Sequence, residues 1–212
     1  ESVILAIGHS ARDTFVSLLD EGITLLQKPF SIGARIEHPQ SLINRAQYGA
    51  AADHSALGAA DYKLALHLPS GRSVYTFCMC PGGTVVAAAS EKDSVVTNGM
   101  SYYARDGVNA NSALLVGVGP EDFGSDHPLA GMFLQRRIEQ KAFVLGGRTG
   151  CAPCQTIGDL LAGRASGRLG EVQPSYKPGV VPCDLSELLP APLIGAMREA
   201  LPLLGRRLHG FD

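Results

Sequence analysis

Apolar runs and turn residues alternate so as to divide the chain into a sheet-rich part and a helix-rich part. Short strand candidates, separated by Gly, Pro, Asn and Ser clusters, occur in FSIGARIE, DYKLALHL, SVYTF, TVVAAA, SVVT and SALLVGV. LPSGRS between the second and third predicts a hairpin. The pattern predicts an α+β fold with an antiparallel sheet or barrel-like core in residues 29–120.

Helical spacing dominates residues 128–212. PLAGMFLQRRIEQKAFVLGG predicts a helix that ends at the glycine pair. A long connection, residues 163–184, contains apolar side chains that it can bury, so we expect it to be ordered. Pro202 predicts a kink or break in the last helix. That helix has one apolar face, formed by Leu193, Met197, Leu201, Leu204 and Leu208.

The amino-terminal stretch has a different character. The continuous apolar run Val3 to Ile7 predicts a strand covered on both faces, and Ser10 can cap a helix over Ala11 to Glu21. The run has no preceding turn or cap, so we expect a fragment of a larger protein. Residues 1–28 would be a strand and helix left from another domain, and residues 29–212 a domain of their own.

Composition restricts the classes of function. Hydrophobic residues make up 45% and charged residues 18% of the 212 residues, and the net charge is -2. These values argue for a globular protein and against nucleic acid as a partner. No apolar run approaches the roughly 20 residues that a membrane helix needs. Because the five cysteines also fit reduced thiols, we expect a cytoplasmic protein without membrane contact.

The segment Gly8-His9-Ser10-Ala11-Arg12 resembles the nucleophile turn of a hydrolase. Arg12 occupies a position where that turn needs a small residue, so a plain helix cap or an anion site at the helix start fits better. A serine hydrolase using Ser10 remains an alternative. Its partners would be His127 or His209 with Asp122 or Asp184.

Two cysteine pairs offer a second alternative. Cys78 and Cys80 precede Pro81-Gly82-Gly83, and Cys151 and Cys154 have C-x-x-C spacing. Together the four thiols could bind zinc, or a pair could act as a redox dithiol. Buried apolar cysteine is the simpler interpretation of the first pair.

Polar residues are dense in VVTNGMSYYARDGVNANS. The stretch contains the turn signals Asn98-Gly99 and Asp106-Gly107 and an asparagine pair, Asn109 and Asn111. It could be a loop that satisfies its own backbone or one wall of a pocket for a planar ligand. Elsewhere, RIEHPQ predicts surface ion pairing of Arg35, Glu37 and His38.

No G-x-G-x-x-G fingerprint follows a strand. VGVGPEDFG has the first two glycines, but Asp122 stands where the third belongs. This chain therefore cannot hold a dinucleotide pyrophosphate by that motif.

Eight segments taken together nevertheless resemble the central part of a family of uncharacterised bacterial FAD-dependent dehydrogenases. They occur in the family's order between Val3 and Phe211. The segments are LAIGHSARDTF, KPFSIGARIEHPQ, LGAADYKL, VYTFCMCPGG, VVTNGMSYYARDG, NANSALLVGV, PLAGMFLQRRIEQKAF and PSYKPGV.

The resemblance implies an insert domain that covers the flavin of a FAD-dependent oxidoreductase. The FAD-binding domain of the same polypeptide and a small-molecule substrate would be its partners, and NAD(P)H a possible electron donor. The isolated chain would be inactive. Implied catalytic candidates are Cys78, Cys80 and Arg105, and implied cofactor-binding residues are Gly8, His9, Ser10, Arg12, Gly82, Gly83, Asn98 and Ser101, with Met100 and Asn109 completing the pocket.

Overall fold

A computed structural model describes residues 2–212 and has mixed α+β structure. Residues 2–212 contain five α-helices, eight strands and three short 3-10 helices, and five of the strands, within residues 65–118, follow one another without an intervening helix. The helices are α1 (Arg12–Asp20), α2 (Gln40–Tyr48), α3 (Ala130–Leu145), α4 (Ile157–Ala162) and α5 (Ala191–Gly205). The strands are β1 (Phe30–Pro39), β2 (Ala65–His67), β3 (Ser73–Cys80), β4 (Gly83–Ala87), β5 (Thr97–Ser101), β6 (Asn109–Val118), β7 (Ala152–Cys154) and β8 (Val180–Pro182).

The main sheet has four antiparallel strands in the order β1-β6-β3-β2. The predicted hairpin joins β2 to β3. Two smaller sheets pair β4 with β5 and β7 with β8. The antiparallel sheet is therefore confirmed, and because the sheet is open, its barrel-like alternative is not realised.

One face of the main sheet forms the core together with α5. Alternate residues of β6, including Leu114 and Val116, are buried against the apolar face of α5 that the spacing predicts. The predicted break at Pro202 is wrong, because α5 continues to Gly205. Pro202 lies on the exposed side of the helix, where water can satisfy the carbonyl left without a partner by the missing N–H.

The β4–β5 hairpin and α3 enclose a smaller core. Val85, Val95, Ala142, Ala152 and Tyr176 pack there, so the long connection is ordered as predicted. The predicted turn at Asn98-Gly99 is wrong, because both residues lie inside β5. Asn109 and Asn111 likewise belong to β6. Polar side chains concealed β5 and the first residues of β6, whereas the apolar part of β6 was predicted as a strand.

The amino-terminal stretch differs most from its prediction. Val3 and Ile4 are 92% and 91% exposed, and the run Val3 to Ile7 forms no strand. A doubly covered strand needs neighbours, and none lies beside it in residues 2–212. The cap is also wrong: α1 begins after Ala11 without a side-chain cap bond, and Ser10 does not bond to it.

No helix within residues 2–212 is both long and apolar enough to span a membrane.

Candidate functional site

The outer face of the main sheet carries a polar corner around Arg35. Arg35 of β1, Ala113 of β6 and Phe77 of β3 are in register across three strands, so their side chains share this face. The next row contains Glu37, Asn111 and Cys80. Polar and small residues therefore replace the apolar packing of the inner face.

Three neutral oxygens surround the guanidinium of Arg35. Nη1 donates to the Cys78 carbonyl at 2.9 Å and to Asn111 Oδ1 at 3.0 Å. Nη2 donates to Asn98 Oδ1 and again to the Cys78 carbonyl, both at 3.2 Å. Among the described residues no carboxylate pairs with Arg35. Burial lowers the pKa of Arg35, and the nearby Cys80 and Cys78 oppose that effect.

The backbone is shaped to make these contacts. The register between β3 and β6 shifts between Phe77 and Cys80, and Cys78 adopts a left-handed φ of 45°. A register shift of this kind re-aims the backbone. A left-handed φ is uncommon for a residue other than glycine. Here it turns the Cys78 carbonyl towards Arg35. Gly99 leaves room on the other side, because a Cβ there would lie 2.7 Å from the guanidinium carbon.

The turn after Cys80 packs against the segment between β5 and β6. Gly82 has a φ of 51°, and a Cβ on it would overlap the Arg105 carbonyl. Its N–H donates to Gln40 Oε1 at 2.7 Å, and Ser101 Oγ donates to the Pro81 carbonyl at 2.7 Å. Gly82 and Gly83 thus permit close contact between the turn after Cys80 and the segment Met100 to Arg105. The predicted residues Cys78, Cys80, Gly82, Gly83, Asn98, Ser101 and Arg105 are thereby brought into one connected region.

Sequence reasoning missed the role of RIEHPQ. Glu37 accepts hydrogen bonds from Ser175 and Asn109, and His38 is buried with its Nε2 at 2.9 Å from the Phe211 carbonyl. The predicted surface ion pairing of Arg35, Glu37 and His38 is therefore wrong. No signal in the sequence showed which groups Arg35 meets on the outer face of the sheet.

A cavity of about 410 Å³ lies beside this region. Gly83, Gly107 and Asn109 form one wall, and the long connection forms the other with Glu171 and Ser175. The side-chain NH2 of Asn109 already donates to Glu37 and to the Gln173 carbonyl, so it is not available to a ligand in this cavity. Met100, the other residue expected in the pocket, is 63% exposed.

The cysteines do not form the site that their spacing permits. The described residues contain no group of three His, Cys, Asp or Glu side chains able to hold a metal ion. Burial raises the pKa of Cys80 and Cys183, and raises that of Cys154 to about 11. A reactive thiol needs the opposite shift. The zinc alternative thus lacks a donor set in residues 2–212, and the dithiol alternative has no support.

The candidate residues near the amino terminus have hydrogen-bond partners outside the corner around Arg35. Among residues 2–212, the side chains of His9 and Ser10 hydrogen-bond only each other, at 3.4 Å, and Gly8 is exposed. Arg12 is 2% exposed and binds Glu91 and Glu139 at 2.8 and 2.7 Å. Its guanidinium therefore fastens α1 to α3.

The triad that a Ser10 hydrolase needs is not assembled. Asp122 is paired with Arg72, Asp184 accepts from the Ser186 N–H, and His127 Nδ1 accepts from the Leu129 N–H. Asp122, Asp184 and His127 thus have local structural roles, none of the four candidates hydrogen-bonds Ser10 among the described residues, and the hydrolase alternative has no support.

The fold and the site define an α+β domain whose open sheet carries a cationic, donor-rich corner. The chain belongs to the family described as FAD-dependent protein, C-terminal domain-like, whose model matches residues 29–212. A Clostridium beijerinckii protein described as uncharacterized is 50% identical over all 212 residues. The chain spans 40% of the length of that curated relative.

Proposed function

We propose that this chain forms the substrate-facing cover over the flavin of a FAD-dependent oxidoreductase. Membership of the FAD-dependent family is the observation that carries the proposal. The length of the relative supports it, because 60% of that protein lies outside the matched region and could supply the FAD-binding domain. In this scheme residues 1–28 belong with the FAD-binding domain and residues 29–212 form the cover.

The region around Cys78 is the surface that would face the flavin or the substrate. It combines a cation, two amides and exposed apolar side chains, which is the mixture that a pocket for a planar organic molecule needs. The flavin would supply the redox chemistry, and the chain would orient the substrate and exclude water. Cys78, Cys80 and Arg105 stay candidates for contact with the reacting groups.

Cofactor content tests the first part of the proposal. We expect the longer polypeptide that contains this chain to purify with FAD and to be reduced by a substrate or by NAD(P)H under anaerobic conditions. We expect the 212-residue chain to be colourless and without turnover. A longer polypeptide that never retains FAD would refute the proposal, as would a yellow, active 212-residue chain.

Alkylation of Cys78 tests the position of the cover. Cys78 is exposed in this chain, whereas Cys151 is half-buried and donates to the Pro178 carbonyl at 3.0 Å. With iodoacetamide, we expect Cys78 in the longer protein to react more slowly when FAD is bound than after FAD is removed. Cys151, the internal control, should react equally in both forms. Equal rates for Cys78 would count against this orientation.

A further inference from the structure

The corner around Arg35 has more hydrogen-bond donors than this chain uses. Asn98 and Asn111 both turn their amide oxygens to the guanidinium, so both NH2 groups point elsewhere. Asn111 is fully buried, and its Nδ2 has no partner among the described residues. A buried donor without an acceptor costs about 1–3 kcal/mol, so a protein seldom keeps one without a reason.

The charge of Arg35 is uncompensated as well. Arg12, Arg72, Arg136 and Arg164 each pair with a carboxylate, whereas the partners of Arg35 are carbonyl and amide oxygens. Neutral oxygens accept from its Nη1 and Nη2 N–H groups without neutralising its charge, and its Nε–H has no partner among the described residues. The nearest carboxylate in the same strand, Glu37, is held by Ser175 and Asn109 instead. The corner therefore carries a positive charge that no carboxylate of the described residues neutralises.

An apolar surface lies next to the guanidinium of Arg35. Phe77 is 57% exposed and lies in the same row as Arg35, with only the small side chain of Ala113 between them. Met100 follows Asn98 by two residues, on the same side of β5, and is also exposed. A ligand with an anionic end and a flat apolar body matches this arrangement.

The geometry points to a binding site for a carboxylate group at Arg35 and Asn98, with the apolar body of the ligand lying over Ala113 against Phe77. A carboxylate has two oxygens that accept charge-assisted hydrogen bonds, and its plane continues that of a conjugated or aromatic body. The inference rests on the proposed function, within which it assigns the substrate to the small organic acids.

Benzoate binding to the longer protein, measured by calorimetry, tests the site. Calorimetry detects the complex whether or not FAD is present, so a failure of the cofactor proposal is seen separately in the flavin content. We expect Arg35→Gln to weaken benzoate binding at least about tenfold, the loss of one charge-assisted contact. Arg35→Lys should retain part of the affinity, and benzyl alcohol, which lacks the charge, should bind weakly and equally to all variants.

Two further variants test whether the effect on benzoate binding is specific to this site. Arg45→Gln removes an exposed arginine of α2 and should leave the affinity unchanged. Asn98→Ala alters an exposed side chain, so it should preserve the fold and still weaken benzoate binding several-fold. Inorganic phosphate serves as the competing anion. Affinity for benzoate that is independent of Arg35 and Asn98 would overturn the proposal, and so would tighter, Arg35-dependent binding of phosphate, which would assign the site to a nucleotide phosphate.

Discussion

The attachment of α1 depends on Arg12, and its replacement by methionine gives a measurable prediction. Arg12 is the buried residue of α1, and its Nη atoms reach Glu139 at 2.7 and 2.9 Å and Glu91 at 2.8 Å. Arg136 also holds Glu91, so Glu139 loses more when Arg12 is removed. Breaking a buried ion pair from one side costs about 3–5 kcal/mol.

That cost appears as detachment of α1 rather than as loss of the core. Each 1.4 kcal/mol is a factor of about ten, so Arg12→Met should speed amide exchange in α1 by between about one hundredfold and a few thousandfold. Exchange in β6, inside the main core, should change far less. Hydrogen exchange followed by mass spectrometry on peptides measures both segments in one experiment.

Two further variants separate the buried ion pair from a general effect of losing an arginine. Arg164 also pairs with a carboxylate, Asp159 at 2.6 Å, but it is 70% exposed, so Arg164→Met should leave exchange nearly unchanged. Adding Glu139→Gln to Arg12→Met removes the stranded charge and should recover part of the protection. The reasoning is refuted if Arg12→Met accelerates exchange in α1 less than tenfold, or no more than Arg164→Met does.

Acid, core truncation and a glycine substitution give three more predictions. Two arginines hold the pKa of Glu91 at about 2, below its ordinary 4.5, so its contribution is complete above a pH of about 4.5 and lost as the pH falls towards 2; exchange in α1 should follow it. Leu201→Ala, at a buried position of α5, should cost about 2–5 kcal/mol in urea unfolding, whereas the exposed Leu57→Ala should cost little. Gly82→Ala should lower the melting temperature more than Gly147→Ala, because both glycines have positive φ but only Gly82 abuts a backbone carbonyl.

Each of these has an outcome that contradicts it. Protection of α1 that is constant between pH 5 and 2 would deny the role of Glu91. Equal losses for the two leucine variants would mean that α5 does not pack as described. Equal melting temperatures for the two glycine variants would mean that the turn after Cys80 can relax away from the Arg105 segment.

The sequence predicted the apolar framework well because burial leaves a periodic trace. The faces of α5 and the β2–β3 hairpin follow from spacing and turn residues alone. Strand β5 escaped prediction because its polar and glycine residues imitate a loop. The predicted strand over Val3 to Ile7 was wrong for the converse reason. An apolar run forms a strand only if a neighbouring strand is present to pair with it.

Some of the predicted site residues lie together in the fold, whereas Gly8, His9, Ser10 and Arg12 have other surroundings, and Arg35 was not among the predicted site residues. Cys78, Gly82, Asn98 and Ser101 stood out as cysteine, glycine and polar turn residues, and the fold connects them. Arg35 did not, because its position is set by strand register over a distance of 76 residues to Asn111. Contacts of that kind arise from tertiary pairing and leave no local pattern.

The exposed run Val3 to Ile7 has a practical consequence for the behaviour of the purified chain. It is an uncharged, apolar segment without proline, and its backbone is free to pair with a copy of itself. Colloidal association at high concentration would then begin at this segment while the core remains folded. A lysine placed at Ile4 would act as a gatekeeper and keep the chain monodisperse.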